Sequence, residues 1–277
     1  MYSYKRHYTG PVQAVILDWA GTTVDFGSLA PIHAFTRLFA AEGVPITEAE
    51  ARKPMGSEKR EHVRLICEMP RVAESWKARF GSVPSSADVD RLYEKLIPLQ
   101  VESIRERATL IPGMAEFAAW AGKRGIGLGG NTGYATEMVP ELLQLAANQG
   151  YAPGSNVCAT EVPKARPWPH MSLRNAMELG VSNLAACIKV DDTPTGIEEG
   201  LNAGMWTIGV AISGNQVGLD LPQWQALSIN EQAEKRAAAT DIMARSGAHY
   251  VIDSVADIIP VIEEIERRLA KGEHPAG

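Results

Sequence analysis

From residue 108 onward the chain repeats one pattern: a short apolar run, a turn, then a segment with helical spacing. The runs fall at 126–130, 156–160, 185–190, 206–212 and 249–253. The helical segments fall at roughly 114–124, 136–148, 169–179, 195–203, 230–246 and 254–270. Such alternation is the signature of right-handed βαβ units, so it predicts an α/β fold, a parallel sheet with helices on both faces. An earlier apolar run in VQAVILDWAGTTVD, residues 12–25, belongs to the same sheet, yet residues 29–106 carry only helical signals. The expected organisation is a core built from 1–24 and 108–277, with 25–107 inserted after the first strand.

Within the insertion, Thr47 and Glu50 form a capping box, and Ser57 is placed as the cap of EKREHVRLICEM, which Pro70 ends. Ser86 is placed as the cap of a longer helix through Leu92, Leu96, Val101 and Ile104, with Pro98 bending it. A net charge of −6 over 277 residues argues against a nucleic-acid or anionic-membrane partner. The segment MYSYKRHYTG has no apolar leader run, and no apolar stretch approaches a membrane span, so a cytoplasmic location is expected. Cys67, Cys158 and Cys187 lack zinc spacing and read as reduced packing thiols.

In a parallel sheet the strand-to-helix turns open on one edge, so polar residues distant in sequence converge there. Four turns carry chemistry: Asp18 to Thr22, Asn131-Thr132-Gly133-Tyr134, Lys164 to Arg166, and Asp191-Asp192-Thr193. Together they offer a nucleophile, a hydroxyl with free backbone N–H groups, a cation and an acidic pair. That set suits a phosphoryl group and a hard divalent ion such as Mg²⁺. Two places beyond Asp18 stands Ala20, where an ester-cleaving phosphatase would want a carboxylic acid for its leaving oxygen.

The order DWAGT, NTGY, KARP and VDDT resembles the four motifs of the haloacid dehalogenase superfamily, whose core is Rossmann-like, and the inserted block resembles its α-helical cap domain. More narrowly, DWAGTTVD, EARKPMG, KREH, NTGYATEM, ARPWP and NAMELGV resemble the phosphonoacetaldehyde hydrolases, which cleave a carbon–phosphorus bond. The resemblance implies Asp18 as the nucleophile that takes the phosphoryl group, with Thr132, Gly133, Tyr134 and Arg166 holding the substrate. It implies Mg²⁺ bound by Asp18, the backbone carbonyl of Ala20 and Asp192, and a Schiff base on Lys59 rather than on nearby Lys53. A homodimer paired through the cap is implied as well. One departure is that the acidic residue often found four places beyond the motif aspartate falls on Gly196, leaving that part of the Mg²⁺ shell to water or another carboxylate, of which Asp191 is the nearest candidate.

The chemistry has its own logic. Carbon leaves phosphorus readily only if its electrons have a sink, and an aldehyde converted to a protonated imine by a lysine provides one. An acid at position 20 is then unnecessary. Met55, Lys59 and His62 are spaced i, i+4, i+7, so a helix beginning near residue 55 would carry all three on one face, with Met55 packing a sulfur against substrate and His62 shuttling protons. Without the resemblance, Lys59 in its charged run would read as a solvated lysine. The expected activity is hydrolysis of phosphonoacetaldehyde to acetaldehyde and phosphate; the alternative is a phosphate-ester phosphatase of the same superfamily.

Overall fold

The computed structural model describes residues 7–275; positions 1–6 of the segment read above for a leader lie outside the described residues. Six strands form one parallel sheet: β1 (Ala14–Leu17), β2 (Gly127–Thr132), β3 (Ser155–Cys158), β4 (Cys187–Asp191), β5 (Trp206–Val210) and β6 (Tyr250–Ile252). Their order is β3-β2-β1-β4-β5-β6, so the strand order reverses between β1 and β4. Crevices at the carboxyl edge beside such a reversal are where open α/β sheets bind ligands. β1 reads AVIL and β4 reads CIKVD, all buried, as central strands covered on both faces must be. In the registered pairs Leu17 stands beside Val190, so Asp18 and Asp191 leave the sheet next to one another.

Of the six helices between β1 and β2, the first five form a block of their own: α1 (Leu29–Ala41), α2 (Glu48–Arg52), α3 (Lys59–Cys67), α4 (Pro70–Phe80) and α5 (Ser86–Arg107). They bury their own apolar cluster, with Phe35, Phe39, Val63, Ile66, Trp76, Leu92 and Leu96 at its centre. The remaining helices cover the sheet: α6 (Met114–Lys123), α7 (Pro140–Asn148), α8 (His170–Glu178), α9 (Pro194–Asn202), α10 (Leu221–Ala226), α11 (Ile229–Arg245) and α12 (Ile258–Ala270). The two strands of chain that lead into and out of the helical block run side by side. Asp25 N–H donates to Thr109 O at 3.1 Å and Ile111 N–H to Thr23 O at 2.9 Å. Among the described residues no helix is long and apolar enough to cross a membrane.

Several local expectations change. The Thr47–Glu50 capping box is present, but α3 is capped by Glu58, whose carboxylate accepts the N–H groups of Arg60 and Glu61, and not by Ser57. A carboxylate reaches the free amides of a first turn and also complements the helix dipole, advantages that Ser57 one residue earlier lacks. Likewise Ser85, boxed with Asp88, caps α5 in place of Ser86. The helix then runs unbroken through Pro98. Residues 136–148 divide into a 3₁₀ turn at Thr136–Met138 and α7, because Pro140 has no amide to continue a hydrogen-bond ladder and starts a new helix. The short helix α10, boxed by Asp220 and Gln223, has no counterpart in the periodicity, its six residues being too few to display one.

Glu58 mounts the helix that carries Lys59, so Glu58→Ala should lower unfolding stability by about 0.5–2 kcal/mol, whereas Ser57→Ala changes it by a few tenths at most. Urea unfolding of the two variants beside the wild type measures this, and a larger loss from Ser57→Ala would restore Ser57 as the cap.

Candidate active site

Asp18 is delivered to the carboxyl edge by β1, and four hydrogen bonds there converge on Arg166. The guanidinium donates to Asp18 Oδ1 at 2.6 Å, Asn131 Oδ1 at 2.6 Å, Asn131 O at 3.1 Å and Glu199 Oε2 at 3.1 Å. Lys189, in the middle of β4, donates to Asn131 Oδ1 at 2.6 Å and sits 2.9 Å from Asp191 Oδ2. Glu199 Oε1 in turn accepts from Ser172 N–H, Ser172 Oγ and Asn131 Nδ2. Every member of this network is buried. Buried charges persist only when paired and hydrogen-bonded, so the network fixes each side chain in one place.

The carboxylates respond differently to their shared burial. Burial raises Asp18 further than Arg166 lowers it. Asp191 is also pushed up by burial, but Arg166 and Lys189 outweigh this and hold it below the ordinary value. Asp192 is driven well above, first by burial and then by the negative charges of Asp18 and Asp191, with the Asn215 amide at 2.7 Å from its Oδ2 as an opposing hydrogen bond. One oxygen each from Asp18, Asp191 and Asp192 lie within 4.8 Å of one another. Carboxylate oxygens from three buried aspartates crowded at one point are an all-oxygen donor set, which suits Mg²⁺. The residues present therefore fit a hard metal ion.

Gly196 is explained by the same geometry. A Cβ there would lie 1.9 Å from Asp191 Cγ, so the Asp191 carboxyl occupies the space a side chain at 196 would need. Asp191 is held in that space by the Thr193 amide at 3.0 Å and the Thr193 hydroxyl at 2.7 Å, the latter also capping α9. The Asp191 carboxyl from the strand end thus stands where a side chain from the first turn of α9 would otherwise lie.

The helical block closes over this edge. A cavity of about 20 Å³ remains, lined by Asp18, Ala20, Thr132, Gly133, Tyr134, Arg166 and Asp192 from the sheet edge and by Ser28, Met55 and Lys59 from the other side. Closure is tight because two glycines allow it. A Cβ on Gly133 would lie 2.5 Å from Ser57 O, and one on Gly56, at φ +89°, would lie 2.3 Å from Thr195 Oγ1. Lys59 is 4% exposed. Its ammonium lies 4.9 Å from the Tyr134 ring centroid and 5.7 Å from that of Phe35. Burial lowers the Lys59 pKa to about 8, partly offset by the Asp18 charge. Lys53, by contrast, is exposed at the end of α2.

The expected common face of Met55, Lys59 and His62 does not form, because α3 begins only at Lys59. Met55 reaches the cavity from the turn before the helix. His62 is fully buried behind Lys59, stacked on Phe35 at 4.0 Å, with Nε2 at 2.8 Å from Ala51 O. Burial and the neighbouring Lys59 hold it well below its ordinary pKa. Lys164 is exposed and lies over the Trp168 ring, leaving Arg166 as the cation of its turn. Three members of the network, Lys189, Glu199 and Ser172, are not singled out by the sequence. A lysine inside the apolar run CIKVD was the available signal for Lys189, whereas Glu199 sits among ordinary helical residues and gave none.

Comparison with known proteins agrees with this geometry. The pattern of the haloacid dehalogenase-like hydrolases matches residues 12–204. A phosphonoacetaldehyde hydrolase of Hahella chejuensis is 56% identical over 274 residues, 99% of this chain and 93% of that protein. One from Pseudomonas aeruginosa PAO1 is 44% identical over 96% of this chain and 97% of its own length. A crystal structure of a phosphonoacetaldehyde hydrolase-like protein from Oleispira antarctica superimposes with a TM-score of 0.98 at 51% identity, covering 99% of this chain and 100% of that one. A β-phosphoglucomutase from Clostridium difficile, 19% identical with a TM-score of 0.65 over 93% of this chain and 98% of its own, shares the fold alone. On its sequence, its sheet order and its matched relatives, the chain belongs to the phosphonoacetaldehyde hydrolase family of the haloacid dehalogenase-like hydrolases.

Proposed function

We propose that this protein hydrolyses phosphonoacetaldehyde to acetaldehyde and phosphate, with Lys59 as the amine that forms the imine and Asp18 as the nucleophile. The observation that carries the reading is a buried lysine sharing one cavity with a sheet-edge aspartate while the position two beyond that aspartate is Ala20. The Lys59 amine adds to the aldehyde carbon and water leaves, giving a protonated imine. Asp18 then attacks phosphorus, and the electrons of the breaking C–P bond flow into the imine to give an enamine on Lys59. Protonation at carbon and addition of water release acetaldehyde and free the amine. A second water hydrolyses the aspartyl phosphate and regenerates Asp18.

The other cavity residues take supporting roles in this reading. Arg166, held on four acceptor atoms, presents fixed positive charge to the phosphoryl oxygens, and Thr132 and the Gly133 and Tyr134 backbone offer hydrogen bonds to the same group. Tyr134 and Phe35 keep water from Lys59. Asp18, Asp192 and the Ala20 carbonyl would hold Mg²⁺, with Asp191 as the further carboxylate. Bound there, the ion would offset the charge on the transferring phosphoryl group. Residues 25–107 act as the cap and 1–24 with 108–277 as the core, in a cytoplasmic homodimer paired through the caps.

Only the neutral amine attacks the aldehyde, so pKa and pH set the rate together. With Lys59 at about 8, kcat/KM should climb about tenfold per pH unit below that value and level off above it. A profile from pH 5.5 to 9.5 measures this, and a rise that continues toward the ordinary lysine value of ~10.4 would show that burial does not activate the amine. Lys59→Arg should abolish turnover while preserving the fold, and borohydride with substrate should label Lys59 in the wild type. Asp18→Asn should lose at least a thousandfold in kcat, on the order expected for removal of a nucleophile, yet still be trapped at Lys59. Labelling at Lys53 or Lys164 would move the imine elsewhere. Faster wild-type hydrolysis of simple phosphate monoesters than of phosphonoacetaldehyde would replace this reading with an ester phosphatase.

A further inference from the structure

The cavity of about 20 Å³ has room for roughly one water, so an organic substrate fits only when the helical block moves away from the sheet edge. One side chain of the block grips the far side across that gap. Arg52, the last residue of α2, donates to Gly27 O at 3.0 Å, Asn215 Oδ1 at 3.2 Å and Gly218 O at 3.1 Å. Gly27 lies on the strand of chain entering the block, and Asn215 and Gly218 lie on the loop that follows β5. The mount is stiff, since the capping-box Glu50 of α2 is itself fastened to Arg71. The receiving loop is shaped for it. Gly218 adopts φ +66°, and a Cβ there would lie 2.6 Å from Arg52 Cζ.

The loop that Arg52 grips also touches the catalytic edge. Asn215 N–H donates to Asp192 Oδ2 at 2.7 Å, and Ser213 Oγ donates to Gly21 O at 2.8 Å. A Cβ on Gly214 would lie 2.3 Å from Asp192 Cβ. We propose that Arg52 is a positioning residue that latches the cap shut and, through the 213–218 loop, sets Asp192 in the closed state. Opening withdraws the guanidinium from Asn215 and Gly218 together, so the loop loses its hold at the same moment as the cavity admits water. Arg52 touches no reacting atom. It links closure to the state of the carboxylate edge.

The inference rests on the cap assignment made above, and its test uses readouts that do not need the substrate to be known. Protease cleavage of a closed protein tracks the population of its open form. Arg52→Gln should therefore be cut roughly tenfold faster than wild type in the chain crossings at 25–28 and 107–113, and calorimetry should show Mg²⁺ alone binding roughly three- to tenfold more weakly. On phosphonoacetaldehyde, kcat/KM should fall roughly ten- to a hundredfold, mostly through KM. Asn215→Ala, which keeps the backbone amide on Asp192, should act in the same direction, and the double variant should be little worse than Arg52→Gln alone. Arg52→Lys, retaining one donor group, should recover part of each effect and serves where the glutamine variant folds poorly. Unchanged cleavage of the crossings, or effects of Arg52→Gln and Asn215→Ala that multiply independently, would overturn the latch. If cleavage and Mg²⁺ binding change as expected while the wild type ignores phosphonoacetaldehyde, the latch stands and the substrate assignment fails.

Discussion

The Arg166 guanidinium organises the site. It holds Asp18 from β1, Asn131 from β2 and Glu199 from α9, and lies 3.3 Å from Asp191 at the end of β4. No apolar contact could fix four elements in register at one point with this directionality, because hydrophobic packing is not directional and ion-paired hydrogen bonds are. Stripping water from so many charges is costly, and each carboxylate without a partner would be a large penalty. Lys189 and the Ser172 hydroxyl and amide supply the remaining partners. What stays without a paired cation among the described residues is Asp192, whose Oδ2 accepts the Asn215 amide.

Much of the architecture was legible because its determinants are local and periodic. Apolar runs alternating with helical spacing dictate a parallel sheet, and the uniformly helical stretch from 29 to 106 cannot contribute strands to it. The cap residues of individual helices were harder to read. Ser85 and Ser86 are adjacent residues of equal capping ability, and choosing between them requires the backbone angle at each, which tertiary packing sets. The site was legible in the same uneven way. Asp18 and Asp192 directly follow β1 and β4 and Thr132 ends β2, so the fold alone brings these three together, while Arg166 comes in on the loop between β3 and α8. His62 could not be placed from its spacing, since three residues share a helical face only if the helix has already begun. Glu199 was invisible because a buried glutamate in a helix looks like any surface glutamate until its partners are known.

Gly196 illustrates how one position is paid for by another. The Asp191 carboxyl fills the space beside the helix start, and any side chain at 196 would displace it. The choice of a strand-end acidic pair and the choice of glycine at the first turn of α9 are therefore a single choice. Lys189 completes it, because an additional carboxylate at the end of a central strand requires a cation close by, and the side chain two residues earlier points to the same face of the sheet.

Closure, charge state and chemistry are consequences of one act of dehydration. When the helical block packs down, Gly133 and Gly56 allow backbone to approach within contact of Ser57 and Thr195, and water is reduced to about 20 Å³. The same loss of water moves two groups in opposite directions: Lys59 falls to about 8 and Asp192 rises, since burial disfavours whichever form is charged. A neutral amine is what imine formation needs, and a carboxylate unstable without a counter-charge is what favours a divalent cation. An open site would undo both, returning Lys59 to the protonated form and letting water satisfy Asp192. Lys59 stands on the helical block and Asp192 at the sheet edge, so both are dehydrated only while the block lies against the sheet.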